Sequence, residues 1–305
     1  MPSLLCALTG ETMPAHPLMV SRPDDGGPKQ ISAPLGNKVS IPILQAELRD
    51  QIATLLQLIA AVQVVRYPWM TMDGLYRVIV TPDRHATLLA NEHLLEAIGQ
   101  SVAMHVNKKS AFAFPCPHGI VVVLPLDVIR LALAPDTEVE RQYGLTTVWH
   151  ELAHVHALSK QYFANRRLQI PVDSRICPTT IQAWHEFFAE RHSHWPGFDT
   201  ALERHLVDEA WKEFVSEPTR PKAAHLLVRL ASAHGRVPTH GDLGTCISAF
   251  PQVFTSNSLI KQWHACAEAL EQACVTIVES GNAPDLVPLN QRLGNLADGL
   301  MVPHL

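Results

Sequence analysis

Apolar positions recur along this chain with two different periods, and the order in which the periods alternate predicts the elements. From 43 to 65, Leu44, Leu48, Ile52, Leu55, Leu56, Ile59 and Val62 fall three or four residues apart, which places them on one face of a helix. Pro68 ends that run. Leu75-Tyr76-Arg77-Val78-Ile79-Val80 alternates and is rich in β-branched residues, so it predicts a strand, and Thr81-Pro82-Asp83 a turn or helix cap. Residues 84–105, carrying Leu88, Leu89, Leu94, Leu95 and Ile98, predict a helix or helix pair. Residues 110–114 and 118–124 predict two more strands, with Pro115-Cys116-Pro117-His118-Gly119 as the hairpin link. Helices at 127–134 and 138–158 follow. After Trp195-Pro196-Gly197 the pattern is helical throughout, over 201–214, 222–233, 258–280 and 286–296.

The first 43 residues break this regularity. Pro2, Pro14, Pro17, Pro23, Pro28, Pro34 and Pro42, with Gly26-Gly27, oppose regular elements. Only Leu18-Met19-Val20 and Lys38-Val39-Ser40-Ile41 have the look of short strands. Three regions result: an irregular Pro-rich segment at 1–43, a mixed α and β domain at 44–197, and a helical region at 198–305. The fold class expected is α+β.

Composition narrows the setting. With 305 residues, 47% of them apolar and 17% charged, the chain has enough apolar surface for one large domain or two modest ones. A formal net charge of −5 offers no basic surplus for nucleic acid or an anionic membrane surface. The Lys108-Lys109 and Arg166-Arg167 pairs read as solvated loops. The apolar runs at 55–65 and 120–126 are too short to span a bilayer. The N-terminus lacks the basic and apolar regions of a secretory signal, so the cytoplasm is the expected compartment, with signal-less export left open. Cys6, Cys116, Cys177, Cys246, Cys266 and Cys274 are scattered without a C-x-x-C pair. They predict reduced thiols rather than a disulfide framework or a cysteine metal site. No internal repeat, P-loop, dinucleotide glycine motif or G-x-S-x-G is present.

One stretch carries chemistry. His150-Glu151-Leu152-Ala153-His154 is an H-E-x-x-H pattern inside the predicted helix at 138–158. Residues four apart stand on one helix face, so His150 and His154 can present two imidazoles to one ion. Zn²⁺ suits them: it accepts imidazole nitrogen, prefers four ligands and keeps one position open at catalytic sites. Glu151 is placed to reach a water on that ion and take its proton. Val148, Trp149, Leu152 and Val155 have the spacing of a buried helix, and Thr146 or Thr147 is a candidate N-cap. Burying such a polar set is costly unless something binds it. His156 points to another face and is not expected to ligate.

A tetrahedral site needs a third protein ligand. Trp184-His185-Glu186-Phe187-Phe188-Ala189-Glu190 reads as another helix, with the two glutamates four apart. Glu186 can bind the metal while Glu190 accepts the second N–H of a liganding histidine and fixes its tautomer. The competing reading is a solvated helix face carrying an i, i+4 pair, with Arg191 nearby. Local His185, His192 and His194 keep a substitute ligand open.

H-E-x-x-H followed some thirty residues later by E-x-x-A-E resembles the gluzincin metallopeptidases, the broad group that contains thermolysin. It is similar also to the compact zincins of the ImmA/IrrE kind. The resemblance covers roughly residues 118–195. It implies His150, His154 and Glu186 as zinc ligands, Glu151 as general base and Glu190 as the outer carboxylate. It implies too a zincin-like core, a small mixed sheet beside the metal-bearing helix, and a protein or peptide substrate. In that architecture an edge strand pairs with the extended substrate, and residues 118–124 are the candidate. The absence of polar alternation at 120–124 argues equally for a buried central strand. Residues 159–182 read as an irregular loop, from which Tyr162 would stabilise an oxyanion, with His225 and His240 as rivals. Two other classes of function compete with a zinc peptidase. One is a non-catalytic zincin fold used for binding or regulation. The other is an interaction protein acting through its helical region, its metal motif accidental. The sequence does not set the oligomeric state.

Overall fold

The alternating, β-branched stretches pair into one sheet, and the runs with helical spacing fold as helices around it and after it. The computed structural model describes residues 39–40, 46–72, 74–82, 111–116, 119–163, 177–193, 201–236 and 253–302. By contact the chain divides into two compact units, Met1–Ser159 and Lys160–Leu305. The predicted strand at 18–20, the predicted helix at 84–105, and His194 and His240 lie outside the described residues.

In the first unit the sheet holds β1 (Val39–Ser40), β2 (Leu75–Thr81), β3 (Phe112–Cys116) and β4 (Gly119–Pro125), in the order β1-β2-β4-β3. β2 runs parallel to both β1 and β4, while β3 is antiparallel to β4. Val78 lies opposite Val122 and Phe112 opposite Val123. β4 therefore has a neighbour on each side, and its residues from Gly119 to Leu124 are buried. This decides between the two readings of 118–124: the strand is central, not an edge. The physical reason is its pairing with β2 on one side and β3 on the other, and the unbroken apolar run is compatible with that burial. The hairpin closes with Cys116 opposite Gly119, whose φ of 143° favours glycine.

Helix α1 (Ala46–Arg66) buries Ile52, Leu55, Leu56, Ile59 and Val62 and exposes Gln51, Thr54 and Gln57. This is the amphipathic division its spacing predicts. α2 (Leu126–Leu133) leaves β4 directly and buries Leu126, Val128, Ile129 and Ala132. α3 (Glu138–Phe163) carries H-E-x-x-H and is longer than its apolar pattern suggests. Its start is a capping box rather than a cap at Thr146 or Thr147. Glu140 N–H donates to Thr137 Oγ1 at 3.2 Å, and Thr137 N–H donates back to Glu140 Oε2 at 3.1 Å. Thr147 sits mid-helix, where its hydroxyl donates to the Tyr143 carbonyl.

The second unit is helical: α4 (Pro178–Ser193), α5 (Ala201–Ser216), α6 (Arg220–Arg236), α7 (Asn257–Ser280) and α8 (Val287–Met301). α4 starts at Pro178, so the residues just before 183, expected in a loop, are helical. α6 packs against α4, α5, α7 and α8. Trp184, Phe187, Phe188 and Trp263 are fully buried in this unit. Each such aromatic removes roughly 150–250 Å² from water, about 4–6 kcal/mol of gross stabilisation before chain entropy is subtracted. α7 is closed at both ends: Ser256 Oγ accepts from Leu259 N–H, and Gly281, at φ 66°, donates to the Ile277 carbonyl. Among the described residues no helix is long and apolar enough to cross a membrane.

Candidate metal centre

The helix bearing H-E-x-x-H is fixed within its unit at several heights. The Gln63 side-chain amide donates to the Trp149 carbonyl at 2.9 Å, one residue before His150. Gly144 backs onto α2 so closely that a Cβ there would lie 2.5 Å from Ala132 N and 2.8 Å from Val128 O. Farther along, Gly74 lies against Ser159, where a Cβ would meet Oγ at 1.7 Å. His156, fully buried, accepts a 3.0 Å hydrogen bond at Nδ1 from Thr71 N–H. That bond ties the third histidine of the stretch to the backbone of Thr71.

On this helix Glu151 and His154 are 5% and 7% exposed, and His150 is half-buried. His150 Nε2 and His154 Nε2 face each other at 3.0 Å, with the rings near perpendicular at 84°. The helical spacing alone does this, because the two residues stand one turn apart.

α4 brings the carboxylates. Ala183, Trp184, Phe187, Phe188 and Ala189 are buried around it, while Glu186 is half-buried and Gln182 exposed. One ligand atom each from His150, His154 and Glu186 lies within 4.8 Å of the others. The two imidazoles and the carboxylate form a His₂Glu donor set, one that catalytic zinc sites use. With Zn–N near 2.0–2.1 Å, ligand atoms on a coordination tetrahedron stand about 3.3 Å apart. The 3.0 Å between the imidazole nitrogens is close to that spacing. The three residues are a group that could hold a metal ion.

Glu190 is buried, at 6% exposed, and its Oε2 accepts from Arg236 Nε at 2.5 Å. Arg191 pairs instead with Glu271 and donates to the His234 carbonyl. The solvated-face reading does not hold for Glu190 and Arg191, which are nearly inaccessible and each have their own partner, while Glu186 is half-buried. His192 donates from Nδ1 to the Phe188 carbonyl at 2.8 Å, and its Nε2 lies 3.8 Å from Cys274 Sγ. These contacts engage both of its nitrogens. Burial lowers the His185 imidazole to about 4, against a smaller opposing pull from Glu186, so it is neutral at physiological pH.

Tyr162 lies in the last turn of α3, not in a loop, and its side chain is outside the described residues. His225, its rival, is half-buried on α6. Sequence reasoning missed Gln63 and Arg236, and neither has a local signature, because each partner is more than forty residues away. The capping box at Thr137 has a local signature, the T-x-x-E pattern of Thr137 and Glu140. No family model matches this sequence, and neither a curated protein nor a solved structure matches it.

Proposed function

We propose that this protein is a zinc-dependent metallohydrolase of the gluzincin type that cleaves peptide bonds. The observation that carries the reading is the approach of the His150, His154 and Glu186 donor atoms to within 4.8 Å of one another. An H-E-x-x-H helix whose histidines faced away from any carboxylate would not support it.

In this reading His150, His154 and Glu186 hold the ion. When bound, Zn²⁺ supplies Lewis-acid polarisation of a carbonyl and acidifies water toward neutrality. Glu151 stands one residue from His150 and is nearly inaccessible to bulk solvent. Its carboxylate removes a proton from the attacking water and returns it to the departing amine nitrogen. Glu190 is the outer carboxylate that orients a liganding imidazole. Tyr162 is the candidate donor to the developing oxyanion. The substrate is a protein or peptide.

The test joins elemental analysis with turnover of a diverse peptide library. Wild-type protein is expected to carry zinc near one equivalent, and His150→Ala and Glu186→Ala to lose it. Glu151→Gln is expected to keep zinc and lose hydrolysis by roughly 10²–10⁴-fold, the share general base catalysis supplies. Hydrolysis undiminished in Glu151→Gln would refute the mechanism. Zinc bound by wild type without cleavage of any library member would favour a non-catalytic zincin fold used for binding.

A further inference from the structure

Glu190 has a role in the proposed site as its outer carboxylate, whereas its buried partner Arg236 has been given none. Glu190 stands one turn after Glu186 on α4, so the two carboxylates share a helix face. Arg236 is the last residue of α6 and 8% exposed. Its Nε donates to Glu190 Oε2 at 2.5 Å. The residue before it makes this possible. A Cβ on Gly235 would lie 2.5 Å from the Phe187 carbonyl oxygen and 2.8 Å from Glu190 Cβ, so only glycine lets α6 come this close to α4. The next pair along, Arg191 with Glu271, ties the same turn of α4 to α7, and His234 stacks on Phe187 with ring centroids 5.5 Å apart.

A buried ion pair is a poor device for stability alone. Desolvating two charges offsets most of their attraction, and apolar side chains of the same size do as well. What such a pair supplies is a fixed carboxylate position. Guanidinium geometry constrains both the direction and the rotation of the oxygen it holds. A carboxylate that supports a metal ligand needs that constraint, and losing such support weakens metal binding 10–100-fold.

We infer that Arg236 is a positioning residue for the metal centre, holding Glu190 in a single orientation one helical turn from Glu186. The inference rests on the proposed zinc site. By it, the C-terminal end of α6, far from H-E-x-x-H in sequence, belongs to the machinery that sets zinc affinity.

The test measures the zinc dissociation constant by competition with a chromophoric chelator, alongside thermal unfolding of the metal-free protein. Arg236→Met is expected to weaken zinc binding 10–100-fold. It leaves Glu190 buried without its guanidinium, so the metal-free fold also loses stability. The double variant Glu190→Gln/Arg236→Met removes that stranded charge. It is expected to regain the unfolding temperature but not the zinc affinity. Arg236→Lys, which keeps charge without the planar fork, should recover zinc binding in part. A double variant that folds like wild type and binds zinc as tightly would overturn the inference and assign the pair to structure alone. Failure of the underlying reading looks different: wild type and His150→Ala would then bind zinc equally weakly.

Discussion

The same substitution, glycine to alanine inside a helix of the second unit, should have opposite effects at Gly235 and Gly294. In an exposed helix interior, alanine is better than glycine by up to about 1 kcal/mol, because it restricts the unfolded chain and screens the backbone. Gly294, in α8, has nothing within 4 Å of where its Cβ would stand. Gly294→Ala should therefore gain roughly 0.5–1 kcal/mol. Gly235, in α6, receives the same intrinsic benefit, but its Cβ would meet the Phe187 carbonyl oxygen at 2.5 Å. That oxygen is part of the α4 backbone and cannot rotate away. To reach an ordinary contact of 3.4 Å the helices must part by roughly 0.9 Å. Overpacking of this kind costs about 1–3 kcal/mol, and the Arg236–Glu190 bond lengthens with it. Net destabilisation of about 1–2 kcal/mol is expected, a fall of several degrees for a protein of this size. Paired thermal melts and urea titrations of the two metal-free variants measure the difference. Equal or greater stability of Gly235→Ala relative to Gly294→Ala would refute the close approach of α6 to α4 and weaken the case for Arg236.

Two more outcomes follow from geometry alone. Gly119→Ala forces a side chain onto a φ of 143° with its Cβ 2.7 Å from the Gly74 carbonyl, so it should cost about 1–3 kcal/mol, seen as a lower urea midpoint, whereas an unchanged midpoint would contradict the hairpin. Burial raises the Cys266 and Cys274 thiols to about 12, so both stay protonated at pH 8 and should resist iodoacetamide in the native protein while the exposed Cys177 reacts; site-resolved mass spectrometry showing all three alkylated at one rate would count against the burial. The same direction sets a pH dependence. The unfolded thiols ionise first as pH rises above about 9, so their contribution to stability is intact below that value and lost toward 12.

Local sequence determined the elements. The three- and four-residue spacing of Ile52, Leu55, Leu56 and Ile59 is enough to make α1 and choose its buried face, and β-branched alternation is enough for β2. The site's first half was equally local, because His150 and His154 meet through nothing more than one turn of helix. Tertiary structure decided what depends on distant partners. Whether β4 is central or at an edge turns on which strands pair with it, and its own residues cannot say. The burial of Glu190 and its capture by Arg236 are likewise products of packing. A glutamate reads the same in sequence on a solvated face and in an ion pair. Only the folded chain supplies the neighbours that separate the two, because the energy that distinguishes them lies in desolvation and in contacts between residues far apart along the chain.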